Sequence, residues 1–508
     1  MILPSKLHYN SHMVSQAIET HRRSSPFTHD PAGQTIGDVC LISTSEHRWF
    51  QNPVEIYSTR EVSDVKSLID TIDARVQSES LYAAGYLAYE AASAFDDALV
   101  THSVGSEPVL WFGLYEDYAA TPPAPLSRLE HVSKWIPSVS KDEFHVAIDR
   151  IRDYIAAGDT YQVNYTFRMN APFKGSAYIW YRQLCDAQRA DHCAYINTGS
   201  HIVISASPES FFTLNGTRLT TKPMKGTIAR GLTLSSDYDQ LDHLSSSQTD
   251  RAENIMIADL LGNDMRRISE TGTVHVESRF DVEKFDTLWQ MTSTITSETK
   301  AGISDIFKAL FPAGSITGTP KIRTSEIIRE LEPEPRGAYC GAIGYWGPHR
   351  QAQFNVAIRT AILDVEEEKL RYSVGAGITW DSSSEAEYAE CLLKAEVVSR
   401  RISEFDLLES LLWDGNYYLL ERHLARMKQS AEYFSYQFEE SPARAALNLA
   451  TNGMQPEPVK VRLLLSRNGN VAVETKPVVP TDICSITLAR ESIDENDVFL
   501  YHKTTHRS

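Results

Sequence analysis

Apolar residues recur along this chain with two periods, and each predicts its own kind of element. From Lys141 onward Phe144, Ile148, Ile151 and Ile155 follow helical spacing, and Gly158 suits the C-cap of that helix. A second helix is predicted from Thr249 to about Met265, with Ile257, Leu260 and Leu261 as its apolar stripe. Glu253 and Asp264 lie at i−4 and i+7 from Ile257, on that same stripe, so an inward-facing carboxylate there needs a partner. A third helix follows Ser382-Ser383-Ser384, which suit its N-cap, and carries Glu387, Glu390, Cys391 and Lys394 on one side.

Other segments read as strands or core. These include Leu81-Tyr82-Ala83-Ala84-Gly85-Tyr86-Leu87 and Val109-Leu110-Trp111-Phe112-Gly113-Leu114-Tyr115. Two β-prone runs flank Asn215-Gly216, which predicts a hairpin. If Leu214 opposes Thr217, Glu209 opposes Lys222, and Pro223 then breaks the ladder. Glu209 and Lys225 are thereby placed at one open end of the hairpin. Glu366-Glu367-Glu368 reads as a solvated hairpin tip, and Thr121-Pro122-Pro123-Ala124-Pro125 as a connection. After Phe405 the pattern restarts, with an apolar run from Leu407 to Leu412, a turn at Asp414-Gly415-Asn416 and a helix around 421–434. The predicted division is 1–404, with an N-terminal part at 1–135 and a catalytic part at 140–400, followed by a second domain at 405–508.

Composition narrows the function classes. The 508 residues are 42% hydrophobic and 23% charged, ordinary for a globular protein. The net charge of −18 argues against nonspecific nucleic-acid binding, which needs basic stripes to displace counterions. No apolar run is long enough to span a membrane, and the first residues lack a signal-peptide core. The six cysteines are scattered, with no CxxC pair, which points to reduced thiols and a cytoplasmic location.

The candidate chemistry centres on Lys225, in Thr221-Lys222-Pro223-Met224-Lys225-Gly226-Thr227. A lysine nucleophile must be neutral when it attacks, so desolvation or nearby positive charge must lower its pKa. Glu209 at the same hairpin end is the candidate general acid. Glu253, Glu387 and Glu390 offer hard oxygen ligands of the kind magnesium takes, although Glu390 and Lys394 also stand at ion-pair spacing.

Motifs in fixed order give this constellation a context. Gly158-Asp159-Thr160-Tyr161-Gln162-Val163-Asn164 comes first, then Ser207-Pro208-Glu209-Ser210-Phe211, then Pro223-Met224-Lys225-Gly226-Thr227 with Arg230-Gly231. They are followed by Glu253-Asn254-Ile255-Met256, Gly314-Ser315-Ile316-Thr317-Gly318-Thr319-Pro320-Lys321, Gly341-Ala342-Ile343-Gly344-Tyr345, Ala357-Ile358-Arg359-Thr360, Val374-Gly375-Ala376-Gly377-Ile378 and Glu387-Tyr388-Ala389-Glu390. From about 140 to 400 the chain resembles the chorismate-utilising enzymes.

The resemblance implies an α+β fold, a large antiparallel β-sandwich flanked by helices. It implies Mg²⁺ on Glu253 and Glu390, with Glu387 direct or through water. It implies Arg359 and Tyr339 at the enolpyruvyl group, Gly226, Thr227 and Gly375 close to the ligand, and Lys394 beside the substrate. Anthranilate synthases carry alanine where this chain has Lys225. The lysine form resembles the aminodeoxychorismate synthase component I branch, which makes 4-amino-4-deoxychorismate for p-aminobenzoate and folate. No cysteine stands in a glutaminase context, so a glutamine amidotransferase partner is expected to supply ammonia.

Two positions depart from the family. Gln290 stands where many members have histidine, which opens the route of the leaving-group proton, and Gly262 stands where arginine is usual. The alternatives are anthranilate synthase component I, isochorismate or salicylate synthase, and a non-catalytic subunit binding chorismate or tryptophan.

Residues 408–508 resemble the start of a 4-amino-4-deoxychorismate lyase, a partial α/β lobe of class IV aminotransferase type. The resemblance rests on Tyr418-Leu419-Leu420-Glu421-Arg422-His423, on Lys460-Val461-Arg462-Leu463-Leu464-Leu465, and on His502-Lys503-Thr504-Thr505-His506-Arg507. It makes Lys503 the Schiff-base lysine of pyridoxal phosphate (PLP); the competing reading is a basic tail. The chain ends five residues after Lys503, so an incomplete and inactive lyase is the expectation.

Overall fold

The computed structural model describes residues 34–43, 46–121, 132, 134–188, 190–399, 405–478 and 493–506. The prolines of the predicted connection at 122–125, Cys484 and Arg507 lie outside them.

Two large antiparallel sheets face each other. One runs Gly318–Thr319, Gln162–Pro172, Lys369–Ile378, Thr360–Asp364, His201–Ser207, His192–Asn197, Val39–Ile42, His47–Phe50. The other begins with Met224–Ala229, continues through Leu288–Glu298, Arg218–Lys222, Ser210–Asn215, Gln351–Val356 and Ala342–Gly347, and ends with Tyr82–Leu87, Leu110–Tyr115 and Glu55–Thr59.

The first sheet is buried on both faces, which its sequence records. Along His201–Ser207, Val203 enters one core while Ile202, Ile204 and Ala206 enter the other. Successive side chains of a strand point to opposite faces, so a doubly covered strand carries apolar residues on both, here with Ser205 and Ser207 buried among them. The outer face is covered by the helices Lys141–Ala156, Ala177–Gln188, Lys321–Leu331 and Ser384–Ser399. Helix Lys141–Ala156 begins with a capping box between Ser140 and Glu143, and Gly158 follows its end at φ +81°.

The predicted hairpin exists with a corrected register. Asn215 pairs with Arg218 and Leu214 with Leu219, leaving Gly216 and Thr217 as the turn, and a bulge before Thr213 brings Ser210, rather than Glu209, opposite Lys222. Asn-Gly admits more than one turn frame, and a bulge carries no sequence signal of its own. The ladder breaks at Pro223 as expected, and Met224–Ala229 leaves its neighbour to pair with Leu288–Glu298. Asp264 on the inward stripe finds its partner in Lys321, at 2.6 Å.

The C-terminal lobe is a three-stranded antiparallel sheet, Leu407–Trp413, Val459–Leu465 and Val471–Pro477, with helices Leu420–Phe434 and Glu440–Thr451. It docks on the segment that follows Met224–Ala229. Arg230 grips Asp237 with both carboxylate oxygens, at 2.5 and 2.6 Å, and donates to the Tyr433 carbonyl at 3.0 Å. The Tyr433 hydroxyl donates to the Gly231 carbonyl at 2.6 Å, and His502 Nε2 lies 3.1 Å from the Leu232 carbonyl. Among the described residues no helix is long and apolar enough to cross a membrane.

Candidate active site

The ends of the two sheets meet around Lys225. Gly377, on the strand Lys369–Ile378, has no side chain, and a Cβ there would lie 3.4 Å from Lys225 Nζ and 2.3 Å from Gln162 Nε2. The lysine amine and the Gln162 amide therefore converge on the bare face of this glycine. Burial lowers the Lys225 pKa, the carboxylates of Glu253 and Glu209 pull it back, and the Lys394 ammonium lowers it further. Glu209 is buried, and desolvation pushes its carboxyl up to about 7 against the opposing pull of the Ser315 hydroxyl and the Lys225 charge. Its backbone N–H donates to Ser207 Oγ at 3.2 Å, which fixes the turn carrying it.

Lys225 is held through its backbone. Asn254, buried in helix Gln248–Arg266, donates to the Lys225 carbonyl at 3.2 Å and accepts from the Ser293 hydroxyl at 2.5 Å. Gly226 has φ +97°, a conformation L side chains rarely adopt. Its bare face is turned to protein, since a Cβ would come within 3.1 Å of Asp250 and 3.2 Å of Met291. The exposed Thr227 donates its hydroxyl to Gln290 Oε1 at 3.0 Å.

The predicted carboxylates lie within electrostatic reach of the lysine or of one another. The charges of Glu253 and Glu387 both act on Lys225, and that of Glu390 acts on Glu387. Burial raises the Glu387 carboxyl, the Ser382 hydroxyl opposes this, and Glu390 raises it further. Lys394 bonds Glu390 at 2.8 Å and the Gly375 carbonyl at 2.8 Å, so the ion pair foreseen at i,i+4 is formed. Gly375 itself is packed against Thr166 and Tyr165.

Among the described residues no three histidine, cysteine or acidic side chains converge as a metal-ligand cluster. The donor set still fits magnesium, which takes one or two protein carboxylates and completes its shell with substrate and water. Glu253 and Glu387 act on Lys225 from two helices, and the repulsion between Glu387 and Glu390 is offset in part by Lys394.

Arg359 stands apart from this cluster. It has φ +50°, just before the strand Thr360–Asp364, and its Nη1 donates to Gln188 Oε1 at 2.5 Å. It opens into a cleft shared with Pro208, which precedes Glu209, and with Gln290, which bonds Gly226. Tyr339 is buried in the core between the sheets.

Sequence reasoning assigned no role to Gln162, Asn254 or Gly377. For Gly377 the signal was present, since residues two apart on a strand share a face and Gly375 was already a candidate. For Gln162 and Asn254 only the sheet-to-sheet contact and the helix rotation reveal the part they play.

In the C-terminal lobe Lys503 belongs to a segment paired with Leu407–Trp413, where its carbonyl accepts from Leu408 N at 2.9 Å. Burial lowers its pKa, the Glu409 charge raises it, and Arg426, Lys460 and Arg462 lower it. A Schiff-base lysine must give up its proton, and this direction of shift is the one it needs. The phosphate of PLP fits less well, because Arg426 is bound to the buried Glu409 and Arg462 to Glu474.

Comparison with known proteins agrees with this arrangement. The sequence pattern of the chorismate binding enzymes matches residues 23–400. The chain belongs to the chorismate-binding enzyme family. Amino-transferase class IV matches residues 406–508, so an aminotransferase-like domain is fused behind it. Aminodeoxychorismate synthase component 1 of Klebsiella aerogenes is 39% identical over 272 residues, which are 53% of this chain and 60% of the relative. Anthranilate synthase component 1 of Aquifex aeolicus is 35% identical over 270 residues, 53% of this chain and 54% of the relative. The chain thus spans little more than half the length of these curated relatives. The fold is that of anthranilate synthase component I from Streptococcus pneumoniae, with a TM-score of 0.61 at 24% identity over 78% of this chain and 100% of the other.

Proposed function

We propose that this protein converts chorismate and ammonia to 4-amino-4-deoxychorismate and water. The observation that carries the reading is the pairing of Lys225 and Glu209. Burial lowers the pKa of the Lys225 amine, and a buried carboxyl held up to about 7 acts on it, which are the directions a nucleophile and a general acid each need. The Lys225 nitrogen attacks C2 of chorismate, the ring double bonds shift, and the C4 hydroxyl leaves as water with the proton of Glu209. The lysine nitrogen, now bonded to C2, returns a proton to Glu209; ammonia then forms the bond to C4, the double bonds shift back, and the lysine leaves C2 as an amine with a proton given up by the incoming ammonium.

Arg359 would hold the enolpyruvyl carboxylate, with two parallel hydrogen bonds available from a guanidinium. Glu253 and Glu390, with Glu387 direct or through water, would hold a magnesium ion, whose fixed positive charge would bind the ring carboxylate. Gln162 beside the lysine can offer hydrogen bonds only, since an amide does not ionise near neutral pH. Ammonia would come from a glutamine amidotransferase partner. No step is assigned to PLP at Lys503.

Anthranilate formation is the second reading, supported by the 35% identity to an anthranilate synthase component 1. Incubation with chorismate, Mg²⁺ and ammonium, followed by product analysis, separates the two. The proposal expects 4-amino-4-deoxychorismate from the wild type and its loss in Lys225→Ala. Anthranilate as the product, or unchanged turnover in Lys225→Ala, overturns it.

A further inference from the structure

We propose that the side-chain amide of Gln188 joins the Arg359 guanidinium in a two-residue cradle for one carboxylate of the substrate. The inference rests on the chorismate reading above and adds to it a binding residue.

Gln188 lies in helix Ala177–Gln188 and is only 9% exposed. Its Oε1 accepts from Arg359 Nη1 at 2.5 Å, which leaves its Nε2 as the donor end. That Nε2 is buried and has no hydrogen-bond partner among the described residues. A buried donor without an acceptor is unfavourable, and native proteins rarely keep one unless a ligand or water completes it. Here the unpaired N–H group stands beside a guanidinium that still has donors to offer.

The cleft they border selects the ligand. Adjacent N–H donors from a planar guanidinium and a planar amide suit a flat, two-oxygen anion, which is a carboxylate. Ala206, Pro208, Phe285 and Leu288 line the rest with apolar surface, which suits a carboxylate on a short, unsaturated carbon arm. Asp286 also borders the cleft, and its charge is drawn to the Lys284 ammonium. Pro208 adjoins Glu209, and Gln290 is bonded to Gly226, so a molecule anchored here extends towards the acid and the lysine.

The role is anchoring as well as holding Arg359, and three variants of the full chain distinguish these. Chorismate binding is measured by calorimetry, and KM and kcat by product formation. Gln188→Met removes the donor at constant length and is expected to raise Kd and KM about tenfold or more, the loss in kcat/KM being carried by KM. Gln188→Glu keeps an acceptor for Arg359 but replaces the donor with a negative charge, and is expected to bind more weakly than Gln188→Met. Arg359→Met is the control that reports the shared subsite. Chorismate affinity within twofold of wild type in Gln188→Glu would mean that Gln188 only orients Arg359, which overturns the cradle. The same outcome in Gln188→Met, with affinity lost in Arg359→Met, overturns the cradle and leaves the chorismate reading standing. Absence of chorismate binding by the wild type overturns both.

Discussion

Gln290 and Gly226 are joined by a hydrogen bond of 3.1 Å, from the glutamine amide to the glycine carbonyl, next to the lysine proposed to form the covalent intermediate. The other end of the same amide accepts from Thr227 at 3.0 Å. Both ends of Gln290 are therefore committed to shaping the corner after Lys225. A residue engaged in this way orders the backbone and leaves protonation of the leaving hydroxyl to Glu209.

Replacing Gln290 tests that division of labour. Gln290→Leu leaves the buried Gly226 carbonyl without its donor, which should cost about 1–3 kcal/mol of stability and lower kcat. Gln290→His can keep a ring N–H on the same carbonyl and should lie much closer to wild type. Urea midpoints and initial rates of the two variants check this, and equal losses in both would contradict it.

Glu209 makes a prediction in pH. Its carboxyl keeps its proton to about 7 in the folded protein, against an ordinary value of 4.5. Between those two values the folded state binds more protons than the unfolded state, so this group's contribution falls as pH rises from about 4.5 to about 7. Glu209→Gln lacks that limb and should gain on the wild type across the window, by at most about 1.4 kcal/mol per pH unit. Its kcat should fall about 10²–10⁴-fold, and the decline in rate above about pH 7 should disappear with it. Urea titrations at pH 5 and 8 and a pH–rate profile measure both effects.

Asp237 carries more than its sequence position announces. It holds Arg230 through both oxygens and accepts from Gly231 N at 3.1 Å and Trp289 Nε1 at 2.9 Å. Asp237→Asn strands a buried guanidinium, for which a loss of about 3–5 kcal/mol is expected. The urea midpoint should fall accordingly, and a shift below 1 kcal/mol would show that Arg230 finds another acceptor.

How much of this was legible depends on whether a feature is local. The helices Lys141–Ala156 and Gln248–Arg266 follow from apolar spacing, and the break at Pro223 from a missing N–H. The hairpin register failed by one residue at the turn because Asn-Gly does not fix its own frame, and the bulge before Thr213 then moved Glu209 again. Lys225, Glu209 and the three glutamates were named from motifs, and the folded chain brings their charges within reach of one another. Gln188 was missed because nothing local distinguishes one helical glutamine from another, and its meaning arises from Arg359, which lies 171 residues away. The dock between the two domains was missed for the same reason.

That dock should come apart in acid. Desolvation lowers the His502 pKa to about 4, and the neighbouring Arg230 lowers it too, against the pull of the Leu232 carbonyl and Asp237. The carbonyl can only accept, so Nε2 carries the proton and Nδ1 accepts from Ser430 Oγ at 3.0 Å. The folded protein therefore binds fewer protons here than the unfolded chain between pH 4 and 6.5, and this contribution to stability is lost as pH falls through that window. Tyr433→Phe removes the 2.6 Å bond to the Gly231 carbonyl and should cost about 0.5–1.5 kcal/mol. In that variant the two domains should separate at a higher pH than in the wild type. Hydrogen exchange at Arg230–Leu232 and at the lobe, followed from pH 7 to 4, measures this, with the His502 ring titrating near 4 by NMR. Protection at Gly231 and Leu232 that stays unchanged to pH 4 in both proteins would mean that His502 does not hold the lobe in place.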